Sequence, residues 1–344
     1  MIDLRSDSSS TPTDLMRQAM ATAAVGNDAF REDPTVNELE QRAAALLKKE
    51  AALFVSSGTM GNLLGTLTVA APGEVVVAGR QSHLVRFEAG APARIGGVML
   101  LSFSDENGRI SLEEVEDYIT RPTSLRQRVL AIENTHNSSG GLVLDKKEME
   151  QYYSFALKYN LHLHLDGSRI FNAATALGVS AAELASCADS VTFCLSKGLS
   201  APVGSVLLGK REFIDHAREY RFLLGGQMRK VGILAAAGLV ALDTMIPQIK
   251  IDHQNAKILA QGLTKLNGIK LMLDLVQTNI VLFDVSDLVK DAQDFENLLE
   301  TRGVYASVFS SKQIRFITYR DITQSIVERV LETCESVVKE IRSQ

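Results

Sequence analysis

Short apolar runs alternate with helical stretches through the first part of the chain, and this rhythm limits the fold more than any other feature. The runs cover residues 51–55, 75–78, 98–102, 129–132, 161–165 and 190–195. Each has the length of a strand. Helical patterns at 112–119 and 146–159 lie between them. Strand, helix, strand at this pace implies right-handed crossovers and a mainly parallel sheet with helices on both faces. The expected fold class is α/β. In such sheets ligands gather at the carboxyl ends of the strands, so the residues that end each run carry the functional reading.

The run 190–195 ends in Ser196, Lys197 and Gly198. A lysine there is costly to desolvate unless used, and it can lose its proton to become a Schiff-base nucleophile. The run 161–165 alternates, with His162, His164 and Asp166 on one strand face. Asp166 closes it one strand–helix–strand unit before Lys197, and Arg169 follows closely. The run 51–55 leads through Ser56, Ser57, Gly58 and Thr59 into an apolar helix. Backbone N–H groups at that helix start suit a phosphate, and the lysine of a Walker A loop is missing. Alone, Lys197 reads as a solvated loop residue, Asp166 as a cap and Arg169 as a surface ion pair. Together they are what a protein supplies to pyridoxal phosphate: a lysine for the aldehyde, a carboxylate for the ring nitrogen and a cup for the phosphate.

The 344 residues are 46% hydrophobic and carry a net charge of −5. The length suits two domains. The charge offers no basic field for nucleic acid or an anionic membrane, and no apolar run is long enough for a membrane span. The opening MIDLRSDSSS is too polar for a secretory signal. Cys187, Cys194 and Cys334 are too few for a disulfide framework and lack metal-ligand spacing. A cytoplasmic chain without a metal site is expected. Residues 1–10 read as an N-terminal arm, 11–247 as a large cofactor-binding domain and 248–344 as a small α/β domain. Pro12 reads as the first residue of a helix, 269–272 as a strand, and the apolar segment 231–242 as buried at a subunit contact. His136 and His164 read as structural hydrogen-bonders, and Glu88 either orients His83 or caps a helix.

Several motifs in order, SSGTMGN, IENTHN, HLDGSRIFNA, CLSKGLSAPVGS, GGQMRK and QIRFITYRD, carry a resemblance over essentially the whole chain. The sequence resembles the low-specificity L-threonine aldolases, of the β-eliminating lyase group in the aspartate aminotransferase-like, fold type I pyridoxal phosphate enzymes. The resemblance implies cleavage of the Cα–Cβ bond of an L-3-hydroxy-α-amino acid to glycine and an aldehyde. It implies that Lys197 is the Schiff-base lysine, Asp166 the partner of the ring nitrogen, and His83 the imidazole stacked on the ring. It implies that Gly58 and Thr59 hold the phosphate, with Arg229 reaching it from a neighbouring subunit. Ser6, Arg169 and Arg315 match groups that hold the substrate carboxylate. The family implies a homotetramer with sites between subunits.

Departures fall on the substrate side. Thr123 stands where the family usually carries a second histidine that helps with the substrate hydroxyl, so Thr123 is the substrate-binding candidate there. Phe30 replaces a common tyrosine, Ser168 an alanine, Tyr319 a histidine and Gln227 a glycine. A lyase of the same family with another bond specificity is the alternative. A dehydrogenase is disfavoured because G-x-G-x-x-G does not follow the first strand.

Overall fold

The computed structural model describes residues 1–343. Strands are numbered along the chain. The main sheet holds β2 (Ala51–Val55), β3 (Val75–Gly79), β4 (Met99–Phe103), β5 (Gln127–Glu133), β6 (His162–Asp166), β7 (Ser190–Cys194) and β8 (Ser205–Gly209), while β1 (Ile2–Asp3) lies in the arm. β9 (Ile280–Asp284), β10 (Val304–Tyr305), β11 (Ser307–Ser310) and β12 (Gln313–Ile317) follow. The main sheet runs β2-β8-β7-β6-β5-β3-β4. The pairs between β7 and β4 are parallel, and β8 is antiparallel to both β2 and β7. This is the expected α/β class. β3, β7 and β8 are buried along their whole length, the signature of strands covered on both faces.

β8 is the strand that the apolar rhythm does not announce. It returns immediately after the Pro202–Gly204 turn, where Gly204 has φ +102° and an added Cβ would strike the Phe54 ring. Periodicity locates helices between parallel strands, but it says little about a strand that doubles back with none. Two other expectations need correcting. The first helix is Asp14–Thr22 rather than one opening at Pro12, because the Thr13 hydroxyl caps it by accepting from Met16 N at 3.1 Å. Residues 269–272 do not form a strand. Only Lys270 bridges to Asp284, and the turn Leu273–Leu275 then diverts the chain.

Two apolar cores result. One packs helices against the main sheet, with Phe54, Leu130, Leu163 and Phe193 at its centre. The other joins β9 and β12 to the helices Ile249–Leu263, Ala292–Glu300 and Gln324–Ser343, through Leu259, Phe283, Phe295, Phe316 and Val330. Ile2 and Leu4 belong to this second core, and β1 pairs in parallel with β10. The arm is therefore pinned to the C-terminal region while its next residues reach the main sheet. The helix Gly232–Thr244 packs on the helices Asp14–Thr22 and Pro34–Leu47 of the same chain. That packing already buries Ala235, Ala237 and Ala241 within the chain. Among the described residues no single helix is long and apolar enough to cross a membrane.

Candidate active site

The carboxyl ends of β3, β5, β6 and β7 bring four polar residues to one edge. His83 opens a short helix just beyond β3, Glu133 ends β5, and Asp166 ends β6. Glu133 and Asp166 are register partners, and Lys197 lies just past β7. The helix Gly58–Leu67 is laid flat on this edge by its glycines. A Cβ on Gly61 would collide with Thr192, and one on Gly65 with the His164 ring. A Cβ on Gly58 would stand 2.9 Å from Cys194 Sγ. Without these side chains the helix start lies over the strand ends. Ser57 caps Met60 N at 3.1 Å, and among the described residues the N–H groups of Gly58 and Thr59 have no partner in the chain. Free N–H groups at a helix start are what a phosphate requires.

Asp166 is the buried anion of the site. Its Oδ2 accepts from Asn62 Nδ2 at 2.7 Å, and its Oδ1 from Ser168 N at 3.0 Å. Burial works against the charge, but His83, Lys197 and the Ser168 hydrogen bond outweigh it and hold the carboxyl below its ordinary range. A buried anion of this kind favours a proton on any heterocyclic nitrogen placed against it. Asn62 also donates to Glu88 Oε1 at 2.8 Å, and that oxygen lies 2.7 Å from His83 Nδ1. One amide thus ties two carboxylates together. His83, Glu88 and Asp166 each place a nitrogen or oxygen within 4.8 Å of the others.

The Asn62 orientation follows from its neighbours. Its amide nitrogen faces two carboxylates, so its Oδ1 must face His164 Nε2, 3.1 Å away. That oxygen only accepts, so Nε2 carries the hydrogen and Nδ1 accepts from the Ser190 hydroxyl at 2.8 Å. Ser190 in turn accepts from His162 Nε2 at 2.7 Å. Burial and the adjacent His162 push His164 down to about 3, so the relay stays neutral. His164 is the structural hydrogen-bonder expected. His136 is also buried, with Nε2 3.3 Å from Asp105 Oδ2.

Glu88 orients His83, which resolves its two readings. Burial opposes a charged imidazole, but the Glu88 hydrogen bond raises the His83 pKa above its usual value. The bond also fixes Nδ1 as the engaged nitrogen and leaves Nε2 free. Replacing Glu88 with glutamine is expected to lower the His83 pKa below that of the parent, read by nitrogen NMR of the imidazole in cofactor-free protein. An unchanged titration would remove Glu88 from this role.

Arg169 and Arg315 meet at the other side of the edge. Arg169 is buried and forks onto Asp7, with Nε to Oδ2 and Nη2 to Oδ1 both at 2.7 Å. Burial raises the Asp7 pKa, but the Arg169 charge and hydrogen bonds, with Lys197 and Asn279, bring it below the ordinary carboxylate range. Arg315, on β12, points at the same place, and its Nη2 lies 3.5 Å from Arg5 O. The hydroxyl of the neighbouring Ser6 caps Ser8 N at 3.1 Å. Ser10 donates to Lys197 O at 3.1 Å, so the arm touches the lysine loop as well.

Two candidates stay outside this cluster. Arg229 is exposed, beside Phe30 and Phe222 on a separate surface. Thr123 is exposed in the loop before β5, at the opposite end of the strand from Glu133. Within one chain it therefore does not meet the substrate side. Tyr319 also turns away, donating to Asp3 O at 2.8 Å. Sequence reasoning passed over Asn62, Asn137 and the role of Glu133. Glu133 accepts from His83 N at 2.8 Å and from Asn137 N at 2.7 Å, fixing both. The available signal was positional: Asn62 shares a helix face with Gly58 and Gly65, and Glu133 ends a buried strand.

The beta-eliminating lyase family model matches residues 3–287. Low-specificity L-threonine aldolase 1 of Arabidopsis thaliana is 41% identical over 337 residues, covering 96% of this chain and 94% of that protein. The low specificity L-threonine aldolase of Escherichia coli K12 is 37% identical, covering 96% and 97%. Among solved structures, Leishmania major threonine aldolase superposes with a TM-score of 0.83 at 19% identity, covering 98% of this chain and all of that one (100%).

Proposed function

We infer the reaction of this chain from the family it belongs to, the beta-eliminating lyases. It is a pyridoxal phosphate enzyme that cleaves the Cα–Cβ bond of L-3-hydroxy-α-amino acids such as L-threonine, releasing glycine and an aldehyde. The observation that carries this reading is one sheet edge holding Lys197, Asp166, His83, the free N–H groups of Gly58 and Thr59, and two arginines. When bound, the cofactor supplies a conjugated ring that accepts the electron pair left on Cα as the bond breaks.

The chain's own residues do the rest. Lys197 holds the cofactor through its amine, and Asp166 holds a proton on the ring nitrogen. Gly58 and Thr59 donate to the phosphate. Arg169 and Arg315 bind the substrate carboxylate beside Ser6. His83, with Nδ1 committed to Glu88, has Nε2 free to take the β-hydroxyl proton; general base assistance of this kind is worth ~10²–10⁴-fold.

We further propose a cytoplasmic homotetramer with sites shared between subunits. Arg229 is exposed and stands apart from this chain's own cluster, which supports a role in a neighbouring subunit's site. The exposed apolar residues Phe30, Phe222 and Leu223 beside Arg229 supply a surface for that contact. Three buried cysteines left as free thiols fit a reducing compartment. The test is incubation of the cofactor-loaded protein with L-threonine and L-allo-threonine, measuring glycine and acetaldehyde together. Both products in equal amounts are expected. No glycine from any 3-hydroxy amino acid would transfer the reading to another bond specificity.

A further inference from the structure

The two arginines of the carboxylate site are unequally free. Arg169 spends Nε and Nη2 on Asp7, which leaves only Nη1. Arg315 has no carboxylate partner among the described residues. Its buried Nε has no acceptor, and its Nη2 only approaches Arg5 O, at 3.5 Å. The remaining donors converge. Arg169 Nη1 lies 3.2 Å from Asn137 Oδ1, and Arg315 Nη1 lies 3.3 Å from the same oxygen. Two guanidinium groups therefore share one neutral oxygen, and Asp7 offsets only one of their charges. Burial and the adjacent Arg169 lower the Arg315 pKa to about 10, the mark of a cation short of counter-charge. A carboxylate oxygen in that position would pair an anion with both cations, where the amide oxygen offers only a neutral acceptor.

We propose that Asn137 Oδ1 marks the seat of one oxygen of the substrate's α-carboxylate, and that Asn137 is a positioning residue which fills this seat between substrates and yields it to an anion. The proposal rests on the amino-acid-cleaving reading above. The Asn137 backbone is anchored by its N–H to Glu133, so only the side chain need move. Neutrality is the essential property. An amide oxygen keeps the two cations apart without satisfying them, whereas a carboxylate at this position would be a permanent internal competitor.

The test compares Asn137→Asp, nearly isosteric and charged, with Asn137→Ala, which empties the seat. In the cofactor-loaded protein, glycine is titrated by its spectral change. Asn137→Asp is expected to weaken glycine about 10–100-fold, the worth of one charge-assisted pairing. Asn137→Ala is expected to hold glycine as well as the parent, or better. The cofactor dissociation constant should not change in either variant. In cofactor-free protein, Asn137→Asp should raise the thermal midpoint through its new pairing with the two arginines. Unchanged glycine binding in Asn137→Asp, an equal loss in Asn137→Ala, or no rise in the cofactor-free midpoint overturns the proposal. A raised midpoint in a protein that binds no glycine supports the anion seat and defeats the reaction reading instead.

Discussion

Replacing Lys197 with alanine is expected to cost ~10⁴-fold or more in kcat/KM, the scale on which a covalent group acting as one unit with its neighbours is lost. Covalent attachment of the cofactor should vanish with it. Borohydride treatment of the loaded parent should leave a reduced, mass-shifted peptide containing Lys197, and the variant should give none. The fold should survive, because the lysine side chain is half-buried in a loop that the backbone holds by itself. Ser200 N donates to Lys197 O at 2.8 Å, and Ala201 N to Leu195 O at 3.0 Å. Unchanged thermal unfolding with activity lost would place the effect in the chemistry. A variant that still traps the cofactor elsewhere and keeps a tenth of the parent activity would exclude Lys197.

The second large effect belongs to Asp166. Asparagine at this position keeps the shape but removes the charge that His83 and Lys197 sustain against burial. It also turns an acceptor into a group whose nitrogen would face the Asn62 amide, now 2.7 Å from Oδ2. The proton on the cofactor nitrogen would lose its counter-charge inside a water-poor site. Losing one preorganised electrostatic partner typically costs ~10²–10³-fold in kcat, and that range is expected for Asp166→Asn. The cofactor dissociation constant should rise as well, because the ring loses its ionic contact. A kcat within tenfold of the parent would show that another group holds that proton.

Lys197 and Asp166 could both be read from the chain because strand ends are local features. A buried run announces itself by composition, and a polar residue closing it lies at the sheet edge by construction. The same logic pointed to the Gly58–Thr59 turn between a strand and an apolar helix, whose N–H groups have no partner among the described residues. Reading along the chain fell short at Thr123, because a match by family position ignores the length of β5. That strand carries the residue to the far edge. It failed at β8 too, where a strand follows a tight turn with no helix between.

What the sequence determined by itself, then, is the α/β class, the edge at which chemistry gathers and the residue types that gather there. These depend on hydrophobic periodicity and on which residue ends each strand, and both are written within a few positions of one another. Only the tertiary structure decided which groups pair. Asp7 takes one edge of Arg169 from 162 positions away along the chain, Asn62 bridges Asp166 and Glu88 from a separate helix, and Asn137 lies between Arg169, just past β6, and Arg315, on β12. Hydrogen bonds and ion pairs are short-ranged, so they are set by the packing distance between elements, and no spacing along the chain encodes that distance.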